Sequence, residues 1–169
     1  MRVIFRINRP LLEEVRRDLD RPHEFAFERV GFLFCRFGAL RCGGLVVLAR
    51  DFMTVADGDY IDDDRFGAVI GAGAFRRALE RTLTDALGIF HVHMHAHRGM
   101  PSPSQIDLRE TTRFVPDFFH VQGALPHGAL ILSRDAISGR VWLSERASPM
   151  SVTATMVVGA PLVLGRTNL

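Results

Sequence analysis

Hydrophobic residues recur along the chain with two different periods, which divide it into helices and strands. Helical spacing is found at 11–20, after Pro10, and at 71–87, before Gly88. Ser104 can cap a third helix that runs to about Phe118. Short β-rich runs separate these stretches, and the pattern predicts strands at 2–7, 25–38, 44–55, 89–97, 128–133, 140–144 and within 151–164.

The order of these elements indicates a mixed α/β (α+β) fold with a central sheet and at least three helices. The acidic segment 57–65 is predicted to be a loop, and Ser138-Gly139 a turn between two late strands. At 169 residues, without a repeat or a low-complexity linker, the chain is expected to be a single domain over 1–169.

Composition restricts the classes of partner. The net charge of +2 argues for neither nucleic acid nor an anionic membrane surface. The first ten residues interleave arginine with apolar residues, so a signal peptide or a membrane span is not expected there. Two cysteines, Cys35 and Cys42, fit buried thiols in a reducing compartment, so a cytoplasmic location is expected.

All 21 basic residues are arginine and none is lysine. GC-rich coding explains this most simply. A chain that avoids amine acceptors is the alternative, and it matters only if the function concerns lysine conjugates.

The segment 89–97 alternates apolar or small residues with four histidines, at positions 91, 93, 95 and 97. Imidazoles two positions apart on a strand point to the same side, close enough to bind one ion. A carboxylate from the following helix can complete a set of three ligands, and Asp107 stands in its first turn. Three protein ligands on Zn²⁺ leave one position open, as in catalytic zinc sites. Ser104 and Asp107 could also form only a helix cap.

These residues resemble the JAMM motif of the MPN (Mov34/JAB) metalloproteases, in which His-x-His and a Pro-Ser loop precede Ser-x-x-Asp. The family also carries an upstream glutamate in an E-x-x-G-x-L context, and 28-ERVGFLFC-35 matches it. The likeness spans most of the chain and includes 128-GALILSRDAISGRVWL-143. It implies an MPN/JAB-like fold, a curved and mostly antiparallel sheet flanked by helices.

The resemblance assigns the residues as follows. His95, His97 and Asp107 would bind Zn²⁺, Glu28 would act as general base and then acid, and Ser104 would stabilise the oxyanion. Glu24 is the alternative to Glu28. The implied activity is that of a zinc isopeptidase or peptidase at the C-terminal tail of a ubiquitin-like modifier or a similar small carrier protein.

The sequence departs from the motif at two places. Arg98 replaces the usual proline after the second histidine, and the spacing from His97 to Asp107 is one residue shorter than the commoner one. His93 with His95 is therefore an alternative ligand pair. His95 with His97 is preferred because ligands belong at the end of the strand. His91 and His93 would then line the same face further back, as structural residues of the sheet or, alternatively, as groups that support the ligands.

Two other functions compete with the hydrolase. A non-catalytic MPN-type scaffold would bind a partner through the same sheet, although inactive members of the family tend to lack one or more motif residues. A different metal-dependent amide hydrolase could use the same ligands on another substrate.

Overall fold

The computed structural model describes residues 1–24, 26–41, 43–63, 65–159 and the backbone of 163–166. Its three helices are α1 (Arg9–Leu19), α2 (Ala72–Thr84) and α3 (Gln105–Phe114). Two short 3-10 turns span Asp57–Asp59 and Pro116–His120. The strands are β1 (Arg2–Asn8), β2 (Val30–Ala39), β3 (Gly44–Thr54), β4 (Gly88–Met94), β5 (His127–Leu132), β6 (Ile137–Trp142), β7 (Met150–Ser151), β8 (Ala154–Val158) and β9 (Val163–Arg166). The expected mixed fold with three helices is confirmed.

Two of the three described helices, α1 and α3, begin at a side-chain cap that the sequence provides. Asn8 caps α1, because its side chain accepts the Leu11 N–H at 2.8 Å, and Pro10 stands in the first turn. The predicted apolar face of α1 is buried through Leu11, Leu12, Val15 and Leu19. No helix in the described part of the chain is long and apolar enough to cross a membrane.

All the described strands belong to one sheet, in the order β7-β6-β5-β4-β2-β3-β1-β8-β9. The three parallel pairings are β1 with β3, β1 with β8 and β4 with β5. The other five are antiparallel. The central position of β4, between β2 and β5, explains why all seven of its residues are buried.

The segment 150–158 makes the sheet curl. Its first part, β7, pairs with β6, whereas β8, only two residues later, pairs with β1 from the other side of the sheet. The two intervening residues continue these contacts: the Val152 N–H donates to Gly139 O at 2.9 Å, and the Thr153 N–H donates to Val3 O at 2.8 Å. Because this short segment pairs with strands towards both ends of the strand order, the sheet must curve towards itself.

The curved sheet separates two apolar cores. One lies against α1 and receives Phe90, Val92 and Met94 of β4. The other lies against α2 and the second 3-10 turn, and it includes Ile89. His91 and His93 alternate with the first set, so both lie on the side of the second core.

Two predictions about the later strands need correction. Ser138-Gly139 is not a turn but part of β6, where Gly139 pairs with Leu130. The turn is at 133–136, where the Ser133 N–H donates to Ala136 O at 2.9 Å and Ser133 Oγ accepts the Ala136 N–H at 2.9 Å. The strand predicted at 25–38 starts only at Val30. Cys35 is a buried free thiol, and Cys42 lies outside the described residues.

Candidate metal centre

The two histidines that come together are His93 and His95, at the end of β4. His93 pairs with Val30 of β2 and Ile131 of β5 and is 4% exposed. The His95 N–H still donates to Leu132 O at 2.8 Å, so the alternation continues just beyond the last residue of the strand. Both rings therefore lie on the same side, and their Nε2 atoms are 3.2 Å apart.

Asp107 reaches the same point from α3. Ser104 and Asp107 form a capping box: Ser104 Oγ accepts the Asp107 N–H at 3.1 Å, and Asp107 Oδ2 accepts the Ser104 N–H at 2.7 Å. The cap fixes the carboxylate, whose Oδ1 is 3.5 Å from His93 Nε2 and whose Oδ2 is 3.9 Å from His95 Nε2. Asp107 is thus both a cap residue and a member of the cluster.

Glu28 completes the cluster from the residues that precede β2. Its Oε1 lies 3.8 Å from His95 Nε2, and its N–H donates to Gly67 O at 3.0 Å. Burial raises the pKa of the Glu28 carboxyl from 4.5 to about 7, and the nearby charge of Asp107 adds to the shift. A carboxyl group with this pKa is suited to exchange protons near neutral pH.

The geometry favours His93 and His95 as the pair of neighbouring histidines over His95 and His97. The His97 side chain is exposed, and its Nδ1 lies 2.9 Å from Arg98 O. β4 ends at Met94, and by His97 the backbone has turned, since its N–H donates to His95 O at 2.9 Å. The structure therefore brings together His93 and His95, the alternative pair, and leaves the exposed His97 outside the cluster, unlike the expected pair of His95 and His97.

Ser104 is present as the helix cap that the sequence allowed. Its Oγ accepts from Asp107, which leaves the hydroxyl hydrogen free to donate to another group. Glu24, the alternative to Glu28, is exposed and does not belong to the group of close ligand atoms found among the described residues.

His91 lies behind His93 as a buried residue among aromatic rings. It contacts Phe32 and Phe114 edge-on, with centroids 5.8 and 5.0 Å away. Burial lowers the pKa of His91 to about 3 and also lowers the pKa of His93. Both rings are therefore neutral near pH 7, and neutral imidazole is the form that binds metals.

The cluster has the dimensions and the chemistry of a divalent-metal site. The ligand atoms of Glu28, His93 and His95 all lie within 4.8 Å of one another. Tetrahedral zinc, with bonds of about 2.0–2.2 Å, places neighbouring ligand atoms roughly 3.3–3.6 Å apart. The separation of 3.5 Å lies within this range, 3.2 Å is slightly shorter and 3.9 Å slightly longer. Imidazole nitrogen with carboxylate oxygen is also a usual donor set for zinc.

Two cavities border the cluster, and both are lined by His93, Asp107 and Thr111. The first, about 610 Å³, lies between Glu28, the segment 66–70 and α3, and it includes Phe75 and Phe114. The second, about 480 Å³, lies between the loop 100–103, β5 and β6.

Comparisons with known proteins do not assign a family. No family model matches the chain, and no curated protein matches it. Among the matching chains of solved structures is the STIL N-terminal domain of Trichoplax adhaerens, at 11% identity and a TM-score of 0.39. The match covers 80% of this chain and 39% of that one. A likeness this low carries no argument about fold family or function.

Proposed function

We propose that the protein is a zinc-dependent peptidase or isopeptidase of the JAMM/MPN type. Its substrate would be an amide bond at the C-terminal tail of a ubiquitin-like modifier or a similar small carrier protein. The observation that carries the proposal is the convergence of His93, His95, Asp107 and Glu28, which come from three separate parts of the chain. The curved, mostly antiparallel sheet with three helices is compatible with an MPN/JAB-like arrangement.

In the proposed site, His93, His95 and Asp107 hold the metal. When bound, zinc would supply Lewis-acid chemistry, polarising the amide carbonyl and lowering the pKa of water from about 15.7 to about 7. The two histidines suit this task because burial keeps the His93 ring neutral and because the strand and the capped helix fix both rings relative to Asp107.

Glu28 moves the proton. As a carboxylate it accepts a proton from the attacking water, whose oxygen bonds to the carbonyl carbon. As a carboxylic acid it then donates that proton to the nitrogen as the C–N bond breaks. A pKa of about 7 makes both forms available at neutral pH. The Ser104 hydroxyl, whose hydrogen remains free, would donate to the oxygen that gains negative charge.

The substrate class rests on the family resemblance and on the two cavities. A tail that lies across the cluster would place one half in each cavity, with Glu28 on the side of the larger one. The buried free thiol of Cys35 agrees with a reducing compartment such as the cytoplasm as the site of action.

The test is cleavage of modifier–amide fusions by the zinc-loaded protein. Glu28→Gln should lower the rate by about 10²–10⁴-fold while zinc stays bound, because the variant cannot accept the proton. Glu24→Gln, which changes an exposed carboxylate four residues earlier, should retain wild-type activity. A chelator should abolish activity. Zinc binding without hydrolysis of any candidate would instead favour the non-catalytic scaffold.

A further inference from the structure

Gly67 lies directly against the side chain of Glu28. The two residues are joined by the hydrogen bond from the Glu28 N–H to Gly67 O, at 3.0 Å. A methyl group at position 67 would stand 2.9 Å from Glu28 Oε2, 3.2 Å from Cδ and 3.5 Å from Cγ. The first two distances are shorter than an ordinary van der Waals contact, so the carboxylate occupies space that only glycine leaves open.

The backbone around Gly67 is held firmly enough to act as a support. Tyr60 and Ile70 form a β-bridge, the Ile61 N–H donates to Val69 O at 2.9 Å, and the Gly71 N–H donates to Asp59 O at 2.8 Å. These hydrogen bonds join residues 59–61 to residues 69–71, at the two ends of the loop that carries Gly67. A group added at Gly67 would therefore displace the mobile end of Glu28 rather than the loop.

The same loop and the 3-10 turn at Asp57–Asp59 that leads into it are fastened to the start of β2, next to Glu28. Tyr60 Oη accepts the Val30 N–H at 2.9 Å, and the buried Arg29 donates to Asp57 Oδ1 at 2.8 Å. Arg29 also donates to the carbonyls of Arg21 and Pro22, each at 2.8 Å. Glu28 is thus held between a fixed strand entrance and a fixed loop.

We propose that Gly67 is a positioning residue, which sets the location of the Glu28 carboxylate beside His95 by leaving room for it. The effect of Gly67 on catalysis rests on the proposed function, whereas its effect on the position of the carboxylate does not. Gly67 is not among the described glycines with positive φ, which are Gly43, Gly44, Gly99 and Gly159. Its backbone conformation is therefore open to alanine, and the missing side chain is what the site requires.

The test compares Gly67→Ala with Gly58→Ala in the zinc-loaded protein. Gly58 is in the 3-10 turn at Asp57–Asp59 that leads into the loop, and a methyl group there would have no atom within 4 Å. Gly67→Ala should lower kcat for amide hydrolysis by about 10- to 100-fold, because small displacements of a reacting group are costly. Gly58→Ala should match the wild type, and both variants should melt close to the wild-type temperature.

A crystal structure of Gly67→Ala measures the displacement without any assay. The separation of Glu28 Oε1 from His95 Nε2, 3.8 Å in the wild type, should change by about 0.5 Å or more, the amount that restores an ordinary contact. If the wild type hydrolyses no amide but the carboxylate moves in the variant, the positioning role stands and the proposed function falls. An unmoved carboxylate, or a moved one with unchanged kcat, overturns the positioning role.

Glu28→Asp provides a second variant, for the case in which Gly67→Ala alone folds poorly. The shorter side chain clears the added methyl group. The double variant should therefore have nearly the same kcat as Glu28→Asp alone, a comparison that does not require the Gly67→Ala single variant. A double variant with a kcat far below that of Glu28→Asp would show that the two residues are independent and would overturn the inference.

Discussion

His93 Nε2 and His95 Nε2 lie 3.2 Å apart, with an Asp107 carboxylate oxygen 3.5 Å from the first of them. Without an ion, neutral imidazoles at this distance can share one hydrogen, one ring donating and the other accepting. With an ion, both nitrogens can turn their lone pairs to the same point. The relationship is what makes the end of β4 a candidate metal centre, and four predictions test how it is built and supported.

The first prediction concerns the ligand register. His93→Ala and His95→Ala should each weaken zinc binding by more than about 100-fold, since loss of a group that only supports a ligand already costs about 10–100-fold. His97→Ala is the matched control, because its ring is exposed and faces Arg98 O. Competition calorimetry measures all three affinities. If His97→Ala lost zinc and His93→Ala kept it, the ligands would instead be His95 and His97, the pair preferred from the sequence.

The second prediction concerns the cap of α3. Ser104→Ala should lower the free energy of unfolding by about 1 kcal/mol, because the Asp107 N–H loses its acceptor. Ser104→Thr keeps a hydroxyl in the same place and should be close to the wild type. Urea denaturation of the metal-free proteins makes the comparison. Equal stability of the alanine and threonine variants would show that the cap contributes little.

The third prediction concerns Tyr60, which ties the loop beside Glu28 to β2. Tyr60→Phe removes the acceptor of the buried Val30 N–H and the donor to Val30 O, at 2.9 and 3.3 Å. It should lower the free energy of unfolding by about 1–3 kcal/mol, the usual cost of an unsatisfied buried group. The measurement is again urea denaturation. A change below about 0.5 kcal/mol would indicate that water replaces the hydroxyl.

The fourth prediction concerns His127, which is fully buried at the start of β5. Its Nδ1 accepts the Ile89 N–H at 3.0 Å, and its Nε2 lies 2.9 Å from Gln122 O, which requires the neutral ring with hydrogen on Nε2. Burial lowers the pKa of His127 below its ordinary 6.5. As the pH is lowered below 6.5, His127 binds a proton in the unfolded chain but not in the folded one. The free energy of unfolding should therefore decrease as the pH is lowered, until the folded-state pKa is reached.

Nuclear magnetic resonance of the ring nitrogens tests this directly. The His127 signals should report the Nε2–H tautomer at pH 7 and should not titrate near 6.5 in the folded protein. A folded-state titration at the ordinary value, or the opposite tautomer, would contradict the assignment.

The sequence predicted most of the fold because the elements that carry periodic apolar residues are also the ones that the cores bury. Leu11, Leu12, Val15 and Leu19 of α1 are the clearest case. The prediction of a turn at Ser138-Gly139 was wrong because glycine was interpreted as a turn residue, whereas Gly139 lies in a strand where an added methyl group would clash with the Leu130 side chain. The local signal for the true turn was Ser133 with Asp135, whose side chains hydrogen-bond across it.

The candidate site was predictable in its residue types but not in its register. Alternation shows that four histidines share a face, but the ligand pair depends on where β4 ends. That end is set by pairing with β5, whose last partners are Met94 and Leu132. Gly67 carried no signal at all, since its contact with Glu28 links positions 39 residues apart (67 − 28) across a loop.

The most direct test is anomalous diffraction at the zinc edge from crystals of the zinc-loaded protein. One peak is expected within about 2.0–2.2 Å of His93 Nε2, His95 Nε2 and an Asp107 carboxylate oxygen, with Glu28 alongside. A peak bound to His97 in place of His93, or full zinc loading with no peak at this cluster, would contradict it.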